Sequence, residues 1–279
     1  MAELSPIEQT LYATVKITAN TQGRSIGTGT GFFWSIQKEG VHTVVIVTNN
    51  HVIDGADEVL LDCHLGDGSD PGNPIGATTP VRIQMQDEGI VRHPDPNVDL
   101  CAFGFAPMVD KAVSVGTPLF YKTLSSDLVP TGWSEFDAVE DVMMVGCPRG
   151  IMDDVNKFAL IRRGITATAV YRNYNGANEF LVDMACFPGS SGSPVFLLQR
   201  GYVEKSTGNY LLDGVRFFLM GVLHAGPIIN NAGQIVLGHL PTVTVATMMH
   251  LGQVIRSDAV IQLESEVIAR MKQQRSAGN

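Results

Sequence analysis

The sequence predicts an all-β protein of two six-stranded antiparallel β-barrels with a C-terminal α-helix. Three observations carry the prediction. β-Branched runs dominate the chain, they fall into two blocks of about six, and a helical apolar period occurs only near the C-terminus.

In the first block, residues 12–18 alternate and are rich in β-branched side chains, the pattern of a half-buried strand. Residues 31–36 and 43–48 follow, separated by a turn containing Gly40, and residues 58–62, 81–85 and 100–105 complete the set. Residues 64–80, rich in Gly, Asp and Pro, read as an irregular surface loop. Residues 106–138 bridge to the second block. Its strands are expected at 141–146, 158–161, 164–171, 180–184, 194–198, 217–223 and 234–237. Asn175-Gly176 marks a hairpin tip within 171–178, and the polar stretch 201–214 reads as another. Within residues 251–274, Val254, Ala259, Ile261, Leu263, Val267, Ile268 and Met271 form an apolar stripe among charges, as on an amphipathic helix. The expected division is 1–125 for the first barrel, 126–250 for the second, and 251–279 for the helix and tail.

Of the 279 residues, 44% are apolar and spread along the chain, enough for a substantial core. Asp and Glu outnumber Lys and Arg by 28 to 19, and no basic cluster suited to phosphates occurs. Neither nucleic acid nor membrane is an expected partner, and no apolar run reaches the roughly 18 residues of a membrane span. The N-terminus lacks the basic patch and apolar stretch of a secretory signal, and Met1 argues against a trimmed one. Cys63, Cys101, Cys147 and Cys186 are scattered, without a Cys-x-x-Cys pair or a His at zinc-ligand spacing. The expectation is reduced, buried thiols, no metal, no cofactor and a cytoplasmic location.

Three segments carry complementary chemistry in the order His, Asp, Ser. His51 closes the apolar run of Val47-Thr48-Asn49-Asn50-His51, and Asp99 opens another in Val98-Asp99-Leu100-Cys101-Ala102-Phe103. Ser191 sits in the turn Gly189-Ser190-Ser191-Gly192-Ser193-Pro194. A serine hydroxyl is a weak nucleophile until an imidazole takes its proton, and a carboxylate on the other ring nitrogen fixes the tautomer. Gly189 permits a tight turn, so its N–H and that of Ser191 can converge on a developing oxyanion. Asp95, between two prolines, and Asp54, close after His51, are rival acids; Asp99 leads into an apolar strand and is best placed to be held rigidly. Gly27-Thr28-Gly29-Thr30-Gly31 looks like a phosphate loop, but it lacks a Lys and enters a strand, so a hairpin role is favoured. Cys186 has no activating cation in view and reads as a structural thiol.

On Gly29-Thr30-Gly31-Phe32-Phe33, Thr48-Asn49-Asn50-His51-Val52 and the Asp99 and Ser191 segments, the chain resembles trypsin/chymotrypsin-type serine proteases over roughly residues 10–250. It is most similar to the bacterial, disulfide-free HtrA-type branch. The resemblance implies a chymotrypsin-like double barrel and a serine endopeptidase working through an acyl-enzyme on a protein or peptide substrate. His51, Asp99 and Ser191 would be the catalytic triad, with the Gly189 and Ser191 N–H groups as the oxyanion hole.

The resemblance also implies a specificity pocket lined by Ala185, Cys186, Phe187 and Pro188, and by His224, Ala225 and Gly226 of a later strand. Its base is expected near Ala185, with no acid unless a longer turn brings in Asp183; small or medium apolar side chains are then preferred over Lys or Arg. Two readings of His224 stay open: contact with a substrate Glu or Gln, as in glutamyl endopeptidases and picornaviral-type proteases, or a ring satisfied by backbone groups. Gly226 would pair its backbone with extended substrate. Ser190 stands where digestive enzymes carry an Asp that pairs with a newly cut N-terminus, so activation by cleavage is not expected. No PDZ domain is expected after the barrels, and any restraint would come from loop order, a homo-oligomer or a regulatory partner. The alternatives are a dormant protease-fold binding or regulatory module, and esterase or transferase chemistry from the same triad.

Overall fold

The computed structural model describes residues 3–69, 72–226, 228–233 and 243–277. Helix α1 (Pro6–Ala13) opens on a capping box, with Ser5 Oγ accepting from Glu8 N and the Glu8 carboxylate accepting from Ser5 N. Strands β1 (Thr14–Thr21), β2 (Arg24–Lys38) and β3 (Val41–Thr48) follow, then the single turn α2 (Asn50–Ile53). Next come β4 (Glu58–Gly66), β5 (Pro74–Gln84), β6 (Ile90–Arg92), β7 (Cys101–Gly104), α3 (Ala106–Ser114) and β8 (Leu119–Phe120). The second set is β9 (Asp141–Gly146), β10 (Leu160–Thr166), β11 (Glu179–Asp183), β12 (Pro194–Val203) and β13 (Tyr210–Ala225). A hairpin of β14 (Ile228–Gly233) and β15 (Val243–Met248) precedes β16 (Leu251–Arg256) and α4 (Asp258–Ala277).

The mostly-β architecture of two successive strand sets and a C-terminal helix matches the expectation, with corrections. The second sheet is a closed six-stranded antiparallel barrel in the order β10-β11-β16-β13-β12-β9. The first is an eight-stranded sheet, β5-β4-β1-β2-β3-β7-β6 with β8 on β4, and its hydrogen-bonded path is open. Its surplus strands were illegible for physical reasons. β6 and β8 are too short to show a period. The first half of β5 lies in the expected 64–80 loop, drawn into the sheet by pairs such as His64↔Thr78 and Gly66↔Pro74.

Helices α1 and α3 occur where a strand start and a bridge were expected, and residues 158–171 yield one strand, β10. The 171–178 tip forms as expected, with Asn175 and Gly176 both at positive φ and Tyr174 bridged to Ala177. The 201–214 tip is shorter, because β12 and β13 extend to Val203 and Tyr210. The segment expected as helix from residue 251 begins as β16, which completes the barrel between β11 and β13; α4 starts only at Asp258. The strand expected at 234–237 lies outside the described residues.

One apolar cluster joins the two sheets. It contains Phe32, Trp34 and Val47 of the first, Met143, Phe196 and Val222 of the second, and Ala259, Leu263 and Val267 of α4. Trp34, fully buried, donates from Nε1 to Glu264 Oε2 at 2.7 Å, which fixes α4 over the seam. Among the described residues no helix is long and apolar enough to cross a membrane.

Candidate active site

The site lies at the seam. β3 ends at Thr48, and the α2 turn that follows presents His51, half exposed, beside the entry to β7. His51 Nδ1 is 2.5 Å from Asp99 Oδ2, and the His51 N–H donates to Asp99 Oδ1 at 3.3 Å. Asn49 Nδ2 donates to the Asp99 carbonyl at 2.7 Å, tying the two segments together. Burial pushes the Asp99 carboxyl up, but bonds and charge from His51 and the Asn50 N–H outweigh it, so the net shift is downward. With Nδ1 occupied by a carboxylate, neutral His51 carries its proton there and leaves Nε2 as an acceptor. The rival acids are engaged elsewhere: Asp54 pairs with Arg92 at 3.0 Å, and Asp95 binds its neighbour Asn97.

Ser191 reaches the same seam on a turn held mainly by backbone bonds. The Thr30 N–H of β2 donates to Ser191 O at 2.8 Å, and Gly192 N donates to Leu223 O of β13 at 2.8 Å. Gly192 has φ +84, and a Cβ there would stand 1.9 Å from Thr30 O. Only glycine fits. Thr30 is the residue that sequence reading missed. Its Oγ1 donates to Gly189 O at 3.1 Å and accepts from Cys147 N at 3.0 Å, while its carbonyl accepts from Thr48 Oγ1 at 2.7 Å. One fully buried residue therefore links the Ser191 turn, through its side chain, to the strand leading to His51, through its carbonyl. Its string, Gly27-Thr28-Gly29-Thr30-Gly31, offered only a hairpin signal.

The turn before Ser191 has a defined direction. Arg149 N donates to Pro188 O at 2.5 Å, from a left-handed backbone at φ 51, ψ 27. A trans peptide points its C=O and N–H to opposite sides, so this bond turns the Gly189 N–H the other way. Neither the Gly189 nor the Ser191 N–H has an intramolecular acceptor among the described residues. Ser191 Oγ donates to His224 O at 3.4 Å, and no bond joins it to His51.

The residues expected around a pocket are divided. Phe187 packs edge-on to His250, with the Arg149 guanidinium 5.9 Å from its ring, and Pro188 is exposed. Ala225 ends β13 opposite Gln253, with Gly226 half-buried beside it. The Cys186 thiol sits in the barrel core near Val182, Leu223 and Gly252, the buried place expected of a structural thiol, packed there by its apolar character. His224 Nε2 lies 3.1 Å from Glu179 Oε1, outside hydrogen-bond alignment, so a carboxylate of this chain stands beside the ring for which substrate or backbone contact had been left open. Arg162 donates to the Ala185 carbonyl, which puts a guanidinium beside the residue where a pocket base was expected. No cluster of His, Cys, Asp and Glu among the described residues is arranged to hold a metal ion.

A family model described as "Trypsin-like peptidase domain" matches residues 29–203, which include His51, Asp99 and Ser191. A solved serine endoprotease from Yersinia pestis is similar over 94% of this chain and 65% of its own, at 14% identity and a TM-score of 0.48. This chain thus spans about two thirds of that protein's length. No curated protein matches.

Proposed function

The chain belongs to the trypsin-like peptidase family, and on that footing we propose a serine endopeptidase that works through His51, Asp99, Ser191 and an acyl-enzyme. His51 Nε2 takes the Ser191 proton as Oγ attacks the scissile carbonyl carbon. The negative charge on the carbonyl oxygen is received by the Gly189 and Ser191 N–H groups, each worth about 3–4 kcal/mol in such sites. The proton then passes from His51 to the leaving amine, and water repeats the sequence on the ester. Asp99 stays ionised throughout, orienting the ring and stabilising the imidazolium.

The observation that carries this reading is the pair of Gly189 and Ser191 N–H groups without an internal acceptor among the described residues, that of Gly189 turned away from Arg149 by the Arg149–Pro188 bond. Pre-aimed donors without an internal acceptor suit a developing oxyanion. A basic substrate side chain entering near Ala185 would meet the Arg162 cation, so the preference falls on other residue types. The four free, buried cysteines fit a reducing compartment such as the cytoplasm.

One observation favours the dormant module: Ser191 Oγ is turned to His224 O. At 3.4 Å that bond is weak, and rotation about Cα–Cβ frees the hydroxyl. A fluorophosphonate probe separates the readings. It labels wild type and neither Ser191→Ala nor His51→Ala if the peptidase is competent; an unlabelled wild type sinks that reading.

A further inference from the structure

β10 sends alternate side chains into the second barrel, the half-buried Leu160 and Arg162 and the buried Thr166, while Ile161, Arg163 and Ile165 face solvent. Arg162 is the anomaly. It pairs with Met144, a core residue, yet carries a guanidinium into the barrel end beneath the Ser191 turn. One terminal nitrogen donates to the Ala185 carbonyl and the other to Ser190 Oγ at 2.7 Å, while Nε is buried without a partner.

No carboxylate pairs with this group among the described residues. The titratable groups that act on it are the Cys147 and Cys186 thiols, which burial pushes up to about 12 and about 11, so they stay neutral. Burial also lowers the Arg162 pKa from its ordinary value. An apolar side chain would fill this place with less desolvation cost. What the arginine supplies is attachment. Its two bonds fall on the first and last residues of the segment Ala185-Cys186-Phe187-Pro188-Gly189-Ser190, and a guanidinium is rigid and planar.

Within that segment the Ser190 N–H donates to Phe187 O at 3.0 Å, and Pro188 O is held by Arg149. Both ends and the middle are therefore restrained, and the Gly189 and Ser191 N–H groups project from what remains. We propose that Arg162 is a positioning residue that clamps residues 185–190 and so pre-aims the oxyanion-binding N–H groups. This rests on the peptidase reading of Ser191. The clamp is encoded within the chain and needs no newly cut N-terminus to complete it.

The test uses the rate of Ser191 phosphonylation by a fluorophosphonate, split into its maximal rate and its half-saturating concentration. Arg162→Met and Arg162→Ala should lower the maximal rate on the order of 100-fold, the scale of losing an oxyanion donor, with little change in half-saturation. Methylguanidinium should restore Arg162→Ala at least about tenfold and leave Arg162→Met unchanged, since the methionine fills the vacated space. Variants that label as fast as wild type overturn the proposal. So does a loss in Arg162→Ala that methylguanidinium does not recover, the pattern of general unfolding. A wild type that does not label removes the peptidase reading instead. The clamp is then judged by hydrogen exchange of the residue 186–191 amides: faster exchange in Arg162→Met supports it and unchanged exchange overturns it.

Discussion

The two sheets contribute to the site in different ways. The first, with its open path, presents His51 and Asp99 as a side-chain pair at strand ends, with the His51 side chain 49% exposed. The closed barrel presents Ser191 on a turn whose flanking Ser190 and Ser193 are fully buried and whose geometry is set by backbone bonds and glycines. A side-chain pair can lose its chemistry while the fold survives. A backbone turn cannot tolerate even a methyl group where chains cross.

Substitutions sharpen this contrast, and the largest effect belongs to the side-chain pair. Asp99→Asn should lower kcat about 10⁴-fold, by favouring the wrong His51 tautomer, with a melting temperature within a few degrees of wild type. A loss below about tenfold would mean that another acid orients the ring. Gly192→Ala should do the reverse, destabilising the fold by about 3 kcal/mol or more, read by urea unfolding. Its Cβ would meet both Thr30 O and Thr48 Oγ1 at a left-handed φ. A stable, active Gly192→Ala would break the comparison.

Thr30→Val keeps the shape but leaves Cys147 N without its acceptor and Gly189 O without its donor. A cost of about 1–3 kcal/mol is expected, together with slower Ser191 labelling. A normal labelling rate would show that Thr30 holds the fold without aligning the turn. The smallest effect concerns pH. The Asp99 carboxyl is lowered in the folded state, so its contribution is complete above its ordinary value near 3.8 and is lost as pH falls through the lower folded value. Melting temperatures should therefore drop less between pH 4 and lower values in Asp99→Asn than in wild type; equal drops would deny that the pair is coupled.

Much of this was legible in sequence because it depends on local pattern. Alternation marked most central strands, and His51 and Asp99 stood at the ends of apolar runs that had to be buried. The Gly189–Pro194 string announced a tight turn. The short strands β6 and β8 gave no period, and β16 was absorbed into a helical stripe because Val254 also suits one. Cys186 could be placed before Ser191, but nothing local told whether its thiol faced a pocket or the core.

By itself, the sequence determined the class of fold, the order of the reactive residue types and the places where glycine was obligatory for turning. Those properties follow from periodicity and backbone sterics within a few residues. The tertiary structure brought Asp99, the acid that the sequence favoured, against His51, and it alone revealed that Thr30, Arg149 and Arg162 bond to the serine turn. Each acts on a segment between 23 and 161 residues away or through a backbone atom that every residue possesses. A threonine in a hairpin string and an arginine in a strand reveal such work only when the chain has folded to bring their partners within bonding distance.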